Sequence, residues 1–224
     1  MKRGAPLCRS SRGTQPAAGI TALRMATHSG QALSNLLPLL MCGEESAART
    51  FEGLSHSNRF ESGAVALLRS IAGEEGCHEQ WLRGLAMALP PPRDGQASRR
   101  AAARFFSGLA EVEPARHLLR IAALDSAVCR ILGEVCGAGE TLRNDSACAS
   151  TLYAIQRDEA RHARHSLALA RAMSGRIERY AIAEHTRHRL VDLLSGYADC
   201  FEALSVDARR LFDTLRIPPR GLWS

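Results

Sequence analysis

A few strong helix breaks divide this chain into long segments whose apolar residues recur at helical spacing. The breaks are glycines, short polar runs and prolines such as Pro90, Pro91 and Pro92. A proline has no backbone N–H and so interrupts the hydrogen bonds of a helix. Alternating Val, Ile and Thr residues and Asn-Gly turns, which are typical of strands, are scarce. The predicted helices cover residues 34–54, 59–89, 96–109, 114–136, 145–173, 177–204 and 206–215. Long helices joined by short loops predict an all-helical antiparallel bundle.

Positive charge is concentrated at the N-terminal end of the sequence. The formal net charge is +6, but the cationic residues Lys2, Arg3, Arg9, Arg12 and Arg24 all precede the first acid, Glu44. We therefore predict a disordered basic tail over residues 1–33, with Met25 as an alternative start. The remainder is close to neutral, which argues against a nucleic-acid partner.

Apolar runs and cysteines bear on the cellular location. No apolar run approaches the roughly 18 residues that suggest a membrane span, so no membrane partner is expected. The seven cysteines form an odd set without a Cys-x-x-Cys pair. This pattern favours a reducing compartment, and we predict a cytoplasmic protein.

Two long helices carry the same Glu-x-x-His spacing. The pairs are Glu75 with His78 and Glu159 with His162. Residues three apart in a helix lie on the same side, so the carboxylate and the imidazole of each pair can converge on one point. One such pair arises often by chance. Two pairs on separate helices predict a transition-metal site with oxygen and nitrogen ligands.

The remaining two helices each offer an acid that faces the predicted core. Glu44 lies in an apolar stripe, whereas the stripe through Glu45 runs over polar residues. On the third long helix the candidates are Asp125 and Glu134, which lie on opposite faces. Asp125 has apolar neighbours and lies roughly 16 Å from the end of its helix, which is compatible with the roughly 22 Å of Glu159 on the returning helix given a loop of several residues. Glu134 would be only about 3 Å from the turn. Asp125 is the preferred candidate and Glu134 the reserve.

Four acids in an apolar interior need positive charge. An unpaired buried carboxylate costs several kcal/mol. Two divalent cations would neutralise four carboxylates, and each histidine would supply one nitrogen per ion.

These residues resemble those of the ferritin-like diiron carboxylate superfamily. Glu44, Ala47 and Phe51 are similar to the first-helix pattern of ferritins and rubrerythrins. The segments around Glu75 and Glu159 resemble the paired motifs of acyl-carrier-protein desaturases and bacterial diiron monooxygenases. The resemblance implies a ferritin-like four-helix bundle over residues 34–174, with a short extra helix at 96–109 and a helical extension over 177–216.

The same resemblance implies a ligand set and its surroundings. The metal-binding and catalytic residues would be Glu44, Glu75, His78, Asp125, Glu159 and His162, with Glu75 and Glu159 as bridges. The third-helix ligand is usually Glu in these families, so Asp125 departs from the pattern by one methylene. Asp158 and Glu74 would each orient a histidine on the facing helix, with Arg161 paired to an acid; the alternative is that these three are solvated charges.

The implied cofactor is a pair of iron ions, with manganese in one position as an alternative, and O2 as co-substrate. We expect an oxygenase or oxidase that acts on a small organic molecule and takes electrons from an external donor. The C-terminal extension would cover a substrate channel, or else serve as a homodimerisation element or extend the core. The alternative functions are ferritin-like or rubrerythrin-like handling of iron or peroxide, and a helical interaction protein whose motifs are coincidental.

Overall fold

The computed structural model describes residues 27–137, 145–173 and 179–223. Its longer helices are α1 (Thr27–Ser55), α2 (Ser62–Ala88), α3 (Gly95–Ser107), α4 (Pro114–Gly137), α5 (Ser146–Met173) and α6 (Arg179–Leu194). A 3-10 turn (Ser195–Tyr197) and the short helices α7 (Ala198–Ala203), α8 (Ala208–Arg216) and α9 (Arg220–Trp223) follow. These ranges contain no strand, which confirms the prediction of an all-helical chain.

Two antiparallel helix pairs form the body of the protein. In the first pair, the Ser34 hydroxyl near the start of α1 donates to the Pro90 carbonyl beyond the end of α2. In the second pair, the Tyr153 hydroxyl near the start of α5 donates to the Cys136 carbonyl near the end of α4. Contacts between α2 and α5 join the pairs. The four long helices α1, α2, α4 and α5 thus share one interior.

A layer of polar side chains divides that interior into two apolar clusters. The first cluster includes Leu37 of α1 and Leu132 of α4. The second includes Phe51 of α1 and Leu118 of α4. The predicted acids lie between the two clusters on every helix: Glu44, Glu75, Asp125 and Glu159. Antiparallel packing therefore brings the four acids to a common height, as the sequence predicted.

The first helix begins about two turns before its predicted start at Ser34. Ser34 does not cap a helix, because the chain is already helical on both sides of it. The added turns are held by tertiary contacts, including a 3.2 Å hydrogen bond from the Ser29 hydroxyl to the Ala203 carbonyl. Pro38 lies within the helix, where it removes one backbone donor. The rest of the predicted tail, residues 1–26, lies outside the described residues.

The C-terminal extension packs against the bundle through α6, which contacts α4 and α3. Arg187 of α6 is buried and donates to the carbonyls of Leu215 and Ile217, at 2.9 and 3.4 Å. It also donates to the Ser126 hydroxyl of α4 at 2.9 Å. A guanidinium at the C-terminal end of α8 complements the negative end of the helix dipole. Arg187 therefore ties α8 to α6 and α4.

The extension differs from its predicted form in two ways. The expected helix over 177–204 is divided by the 3-10 turn after Leu194, and residues 174–178 lie outside the described ranges. In addition, α9 lies beyond the predicted end at residue 216, and its Trp223 is buried in the second apolar cluster.

Within the described ranges, no helix combines the length and the apolar character needed to cross a membrane. Five cysteines are free thiols: Cys42, Cys129, Cys136, Cys148 and Cys200. The cytoplasmic location remains a prediction.

Candidate metal centre

The polar layer contains all six predicted site residues, and none is more than 5% exposed. The residues are Glu44 on α1, Glu75 and His78 on α2, Asp125 on α4, and Glu159 and His162 on α5. Each lies on the core-facing stripe of its helix, and the i, i+3 spacing places both members of each Glu-x-x-His pair on the same side. Four helices therefore contribute to one buried polar group.

In both histidines, Nδ1 is the ring nitrogen that faces the candidate ligand acids. His78 Nδ1 lies 3.2 Å from a carboxylate oxygen of Glu44. It also lies 3.5 Å from Glu75 and 3.4 Å from Glu159. His162 Nδ1 lies 2.9 Å from Glu75 and 3.7 Å from Glu159. Glu75 and Glu159 are thus near both rings, whose centroids are 5.7 Å apart.

The other nitrogen of each histidine contacts an acid on the facing helix. His78 Nε2 lies 3.4 Å from Asp158, and His162 Nε2 lies 2.7 Å from Glu74. Arg161 donates to both acids, at 2.8 Å to Asp158 and 2.6 Å to Glu74. Donation from Nε2–H to an acid leaves the Nδ1 lone pair directed at the centre. These three charged residues therefore orient the histidines and are not solvated helix charges.

Several polar atoms of the layer have no hydrogen-bond partner within the described part of the chain. They are Oε1 of Glu75, Oε1 of Glu159, Nδ1 of His162 and Oδ2 of Asp125. Buried polar atoms are almost always paired, because an unpaired one loses its bonds to water without replacement. Carboxylate oxygens and an imidazole nitrogen all bind transition-metal cations, so one bound group could satisfy these atoms together.

In the absence of metal, protons carry the compensating charge. Burial raises the pKa of Glu44 well above its ordinary value, and repulsion from Glu159 and Glu75 raises it further. The same causes raise the pKa of Asp125. Burial opposes a charge on His162, but its close contacts with Glu159, Glu74 and Glu75 raise its pKa to about 12.

The pKa of His78 is also raised well above its ordinary value, because its contacts with four carboxylates outweigh burial. The pKa values of the two acids that orient the histidines, Asp158 and Glu74, shift in the opposite direction. Burial would raise the pKa of Asp158, but hydrogen bonds from His78 and Arg161 lower it to about 2. The pKa of Glu74 is lowered against burial by His162 and Arg161. The metal-free layer thus holds protons on its histidines while its orienting acids stay ionised.

A metal ion could be held by Glu44, Glu75, His78 and Glu159. One ligand atom from each lies within 4.8 Å of the others, so small movements would place all four around one cation. His162 is next to this group through Glu75 and Glu159, and the pKa of Asp125 responds to the charges of both of these acids. The donor set fits a metal ion but does not select one element.

Glu134, the reserve candidate, lies at the surface of α4. Its carboxylate pairs with Arg130 on the same helix at 2.6 Å, and its side chain is 32% exposed. The structure therefore places Asp125, and not Glu134, in the polar layer. The apolar neighbours of Asp125 in the sequence were the correct guide.

A cavity of about 350 Å³ lies beside the acids. Glu44, Glu75, Asp125 and Glu159 line it, together with residues that the sequence analysis did not single out, such as Phe106 of α3 and His117 of α4. His117 could have been found from the sequence, because it precedes Asp125 by eight positions and so lies close to its helical face. Phe106 gave no such signal, since α3 has no pattern that identifies its neighbours.

Searches against protein-family models, curated proteins and solved structures find no match to this chain. The site therefore has to be interpreted from its own residues. What they establish is a helical protein with a buried group of acids and histidines that could bind a metal.

Proposed function

We propose that this protein is a diiron-dependent oxidoreductase that uses O2 to oxidise a small organic molecule, built on a ferritin-like four-helix bundle. One observation carries the proposal: α2 and α5 present the same unit to each other. In each unit a histidine directs Nδ1 toward shared acids, and its Nε2 is held by an acid of the facing helix. A single cation would require only one such unit.

The proposed ligands divide into two sets around two shared acids. Glu44 and His78 would bind one ion, Asp125 and His162 would bind the other, and Glu75 and Glu159 would bridge both. The bridging role is supported by the distances of Glu75, 3.5 Å from His78 and 2.9 Å from His162. Glu159 is similarly placed, 3.4 Å from His78 and 3.7 Å from His162.

Charge also favours two ions. Four buried carboxylates would be balanced by two divalent cations, whereas one cation would leave two negative charges in the interior. Oxygen and imidazole ligands suit iron and also manganese, so manganese in one position is the alternative composition. When bound, a pair of ferrous ions would supply the reaction with O2, and an external donor would return the electrons.

The residues of the chain would set the conditions for this chemistry. Asp158 and Glu74 fix the histidine rings, and Arg161 donates to both acids and offsets part of their charge. The apolar clusters on either side of the layer keep water away from it. In this way the protein supplies geometry and a dry environment, and the metal ions supply the redox chemistry.

The alternative is a ferritin-like or rubrerythrin-like protein that handles iron or peroxide. The placement of Phe51 favours it, because this aromatic ring of the first-helix pattern lies edge-on to His162, with ring centroids 6.4 Å apart. The cavity beside the acids favours the oxidoreductase, since storage of iron needs no space for an organic molecule.

Anaerobic titration with Fe(II), followed by metal analysis after desalting, tests the proposal. We expect about two ions per chain. Glu75→Ala and Glu159→Ala should each lose both ions, whereas Glu44→Ala should lose one. Glu134→Gln is the control, because Glu134 pairs with Arg130 at the surface and its loss should leave the stoichiometry unchanged.

The outcomes distinguish the proposed oxidoreductase from an iron- or peroxide-handling protein and from a helical interaction protein. Binding of one ion per chain by the unmodified protein, or binding by the Glu75→Ala and Glu159→Ala variants that is as high as in the unmodified protein, would contradict the two-metal site. If two irons bind, fast turnover of hydrogen peroxide or assembly into large shells would favour the alternative function. No metal binding at all would leave a helical interaction protein as the remaining hypothesis.

A further inference from the structure

The cavity beside the acids has one wall made of the candidate ligands, and its other walls are mainly apolar, with a few polar side chains among them. It lies between α1, α3, α4 and α6, and four of the candidate ligands line it: Glu44, Glu75, Asp125 and Glu159. A fifth acid of the lining, Glu45, pairs with Arg49. His78 and His162 are not among its lining residues. A molecule in this cavity would therefore approach a bound metal pair from the side opposite the histidines and their orienting acids.

Helices outside the four-helix body close much of the cavity. The α6 helix contributes Leu190, Leu193 and Leu194, and α3 contributes Phe106. On α4, Leu124 and Val128 flank Asp125. An apolar wall stabilises apolar ligands by roughly 25 cal/mol per Å² of surface removed from water. The cavity thus favours a hydrocarbon-like body next to the acids.

The cationic side chains at the cavity already have partners. Arg120 donates to the Leu109 carbonyl at 2.8 Å and lies 3.0 Å from the Glu111 carboxylate. Arg49 pairs with Glu45 one turn earlier on α1. An anionic group on a ligand would have to share an arginine with the acid that already balances its charge, and a cationic group would compete with the metal ions for the acids.

His117, the histidine of this wall, also carries no charge for an anion to meet. Burial lowers its pKa, and the nearby Arg120 lowers it further, with smaller opposing contributions from Glu111. Charged ligands therefore find no compensating group in the cavity, and burying an uncompensated charge is strongly unfavourable.

A close contact beside Glu44 limits the width of the cavity. A Cβ atom at Gly43 would lie 3.2 Å from Cζ of the Phe106 ring, which is tighter than ordinary van der Waals contact. The glycine allows the ring to lie against α1 next to a candidate ligand. At about 350 Å³, and taking ~30 Å³ for each small group as for a water molecule, the space holds on the order of a dozen non-hydrogen atoms.

We propose that this cavity is the substrate pocket and that the substrate is an uncharged, mainly apolar molecule of about that size, such as a medium-length aliphatic alcohol or hydrocarbon. The inference rests on the proposed function, because it assigns the substrate class of that same metal centre. It excludes phosphorylated and amino-acid-like substrates from this pocket, since each of them carries charge.

Isothermal titration calorimetry with two probes of equal chain length tests the inference. The probes are 1-decanol, kept below its solubility limit, and decane-1-sulfonate, an anion that coordinates iron poorly, kept below its micelle-forming concentration. With the iron-loaded protein under anaerobic conditions, we expect 1-decanol to bind once per chain. Decane-1-sulfonate should bind at least tenfold more weakly.

A matched pair of variants locates the binding. Val128→Phe should fill the cavity and weaken 1-decanol binding at least tenfold, whereas Val112→Phe makes the same change at a side chain that is 97% exposed and should not affect it. Iron stoichiometry and the melting temperature of each variant show whether the fold and the metal site are intact. If Val128→Phe does not fold, Leu193→Phe takes its place.

Failure of this inference differs from failure of the proposed function. Two irons per chain with equal or tighter binding of decane-1-sulfonate would overturn the substrate class alone. Unchanged 1-decanol affinity in Val128→Phe, with normal iron content, would overturn the location. Absence of iron binding would overturn the metal centre and with it the role of the cavity as a substrate pocket, even if 1-decanol bound.

Discussion

The metal-free protein should become less stable as the pH rises from 6 to 8.5. The reason is that His162 is buried and keeps its proton in the folded state, with a pKa raised to about 12, whereas an unfolded histidine has a pKa of about 6.5. A group whose pKa is raised by folding contributes stability that is fully present below the unfolded pKa. That contribution is lost progressively as the pH rises toward the folded pKa.

The magnitude follows from proton linkage. Each proton that only the folded state retains lowers the free energy of unfolding by roughly 1.4 kcal/mol per pH unit above 6.5. From pH 6 to 8.5, His162 alone should therefore lower it by about 2 to 3 kcal/mol. The pKa of His78 is also raised in the folded protein, which changes the free energy of unfolding in the same direction. For a chain of this size, 2 to 3 kcal/mol corresponds to a fall in melting temperature of roughly 5 to 10 °C.

Saturating metal should reverse this dependence, because a ligating imidazole must first lose its proton. The assay is thermal unfolding followed by circular dichroism across this pH range, with chelator and with excess Mn(II), which avoids oxidation in air. In the metal-free protein, His162→Gln should make the melting temperature less dependent on pH. His188→Gln, which changes an exposed histidine, should leave that dependence unchanged. A metal-free melting temperature that stays constant or rises with pH would refute the reasoning.

Three further predictions concern single side chains. Asp158→Asn should weaken metal binding roughly 10- to 100-fold by releasing a histidine ring, as measured by competition with a chelator of known affinity. Asp125→Ala should lower the number of bound ions while Glu134→Ala leaves it unchanged; equal effects would contradict the assignment on α4. Arg187→Met should lower the free energy of unfolding by about 2 kcal/mol, because the carbonyls at the end of α8 lose their donor; denaturant titration measures it, and an unchanged midpoint would contradict the role of Arg187.

The buried group of acids and histidines could be predicted because short-range rules determine it. The spacing of Glu75 and His78 fixes their common side of a helix, and the apolar stripe around Asp125 distinguishes it from Glu134. Heights counted from the turns then aligned the acids, since the helical rise is nearly constant. These relations hold within one helix or one antiparallel pair, so they need no knowledge of the tertiary fold.

What could not be predicted depends on contacts between distant segments. Ser34 has the character of a helix cap, but packing of the preceding turn, including the bond from Ser29 to Ala203, extends the helix past it. Trp223 follows a proline pair and gave no helical period, yet it packs into the second apolar cluster. The cavity is formed where α3 and α6 meet α1 and α4, and no local pattern specifies that arrangement.

The contact between Gly43 and Phe106 has an evolutionary consequence. If a related chain carries a larger residue at position 43, the aromatic ring at position 106 has to shrink or turn away, so the two positions should vary together. Such a compensated pair, found beside two Glu-x-x-His motifs, would identify distant relatives of this protein that differ in the size of this cavity.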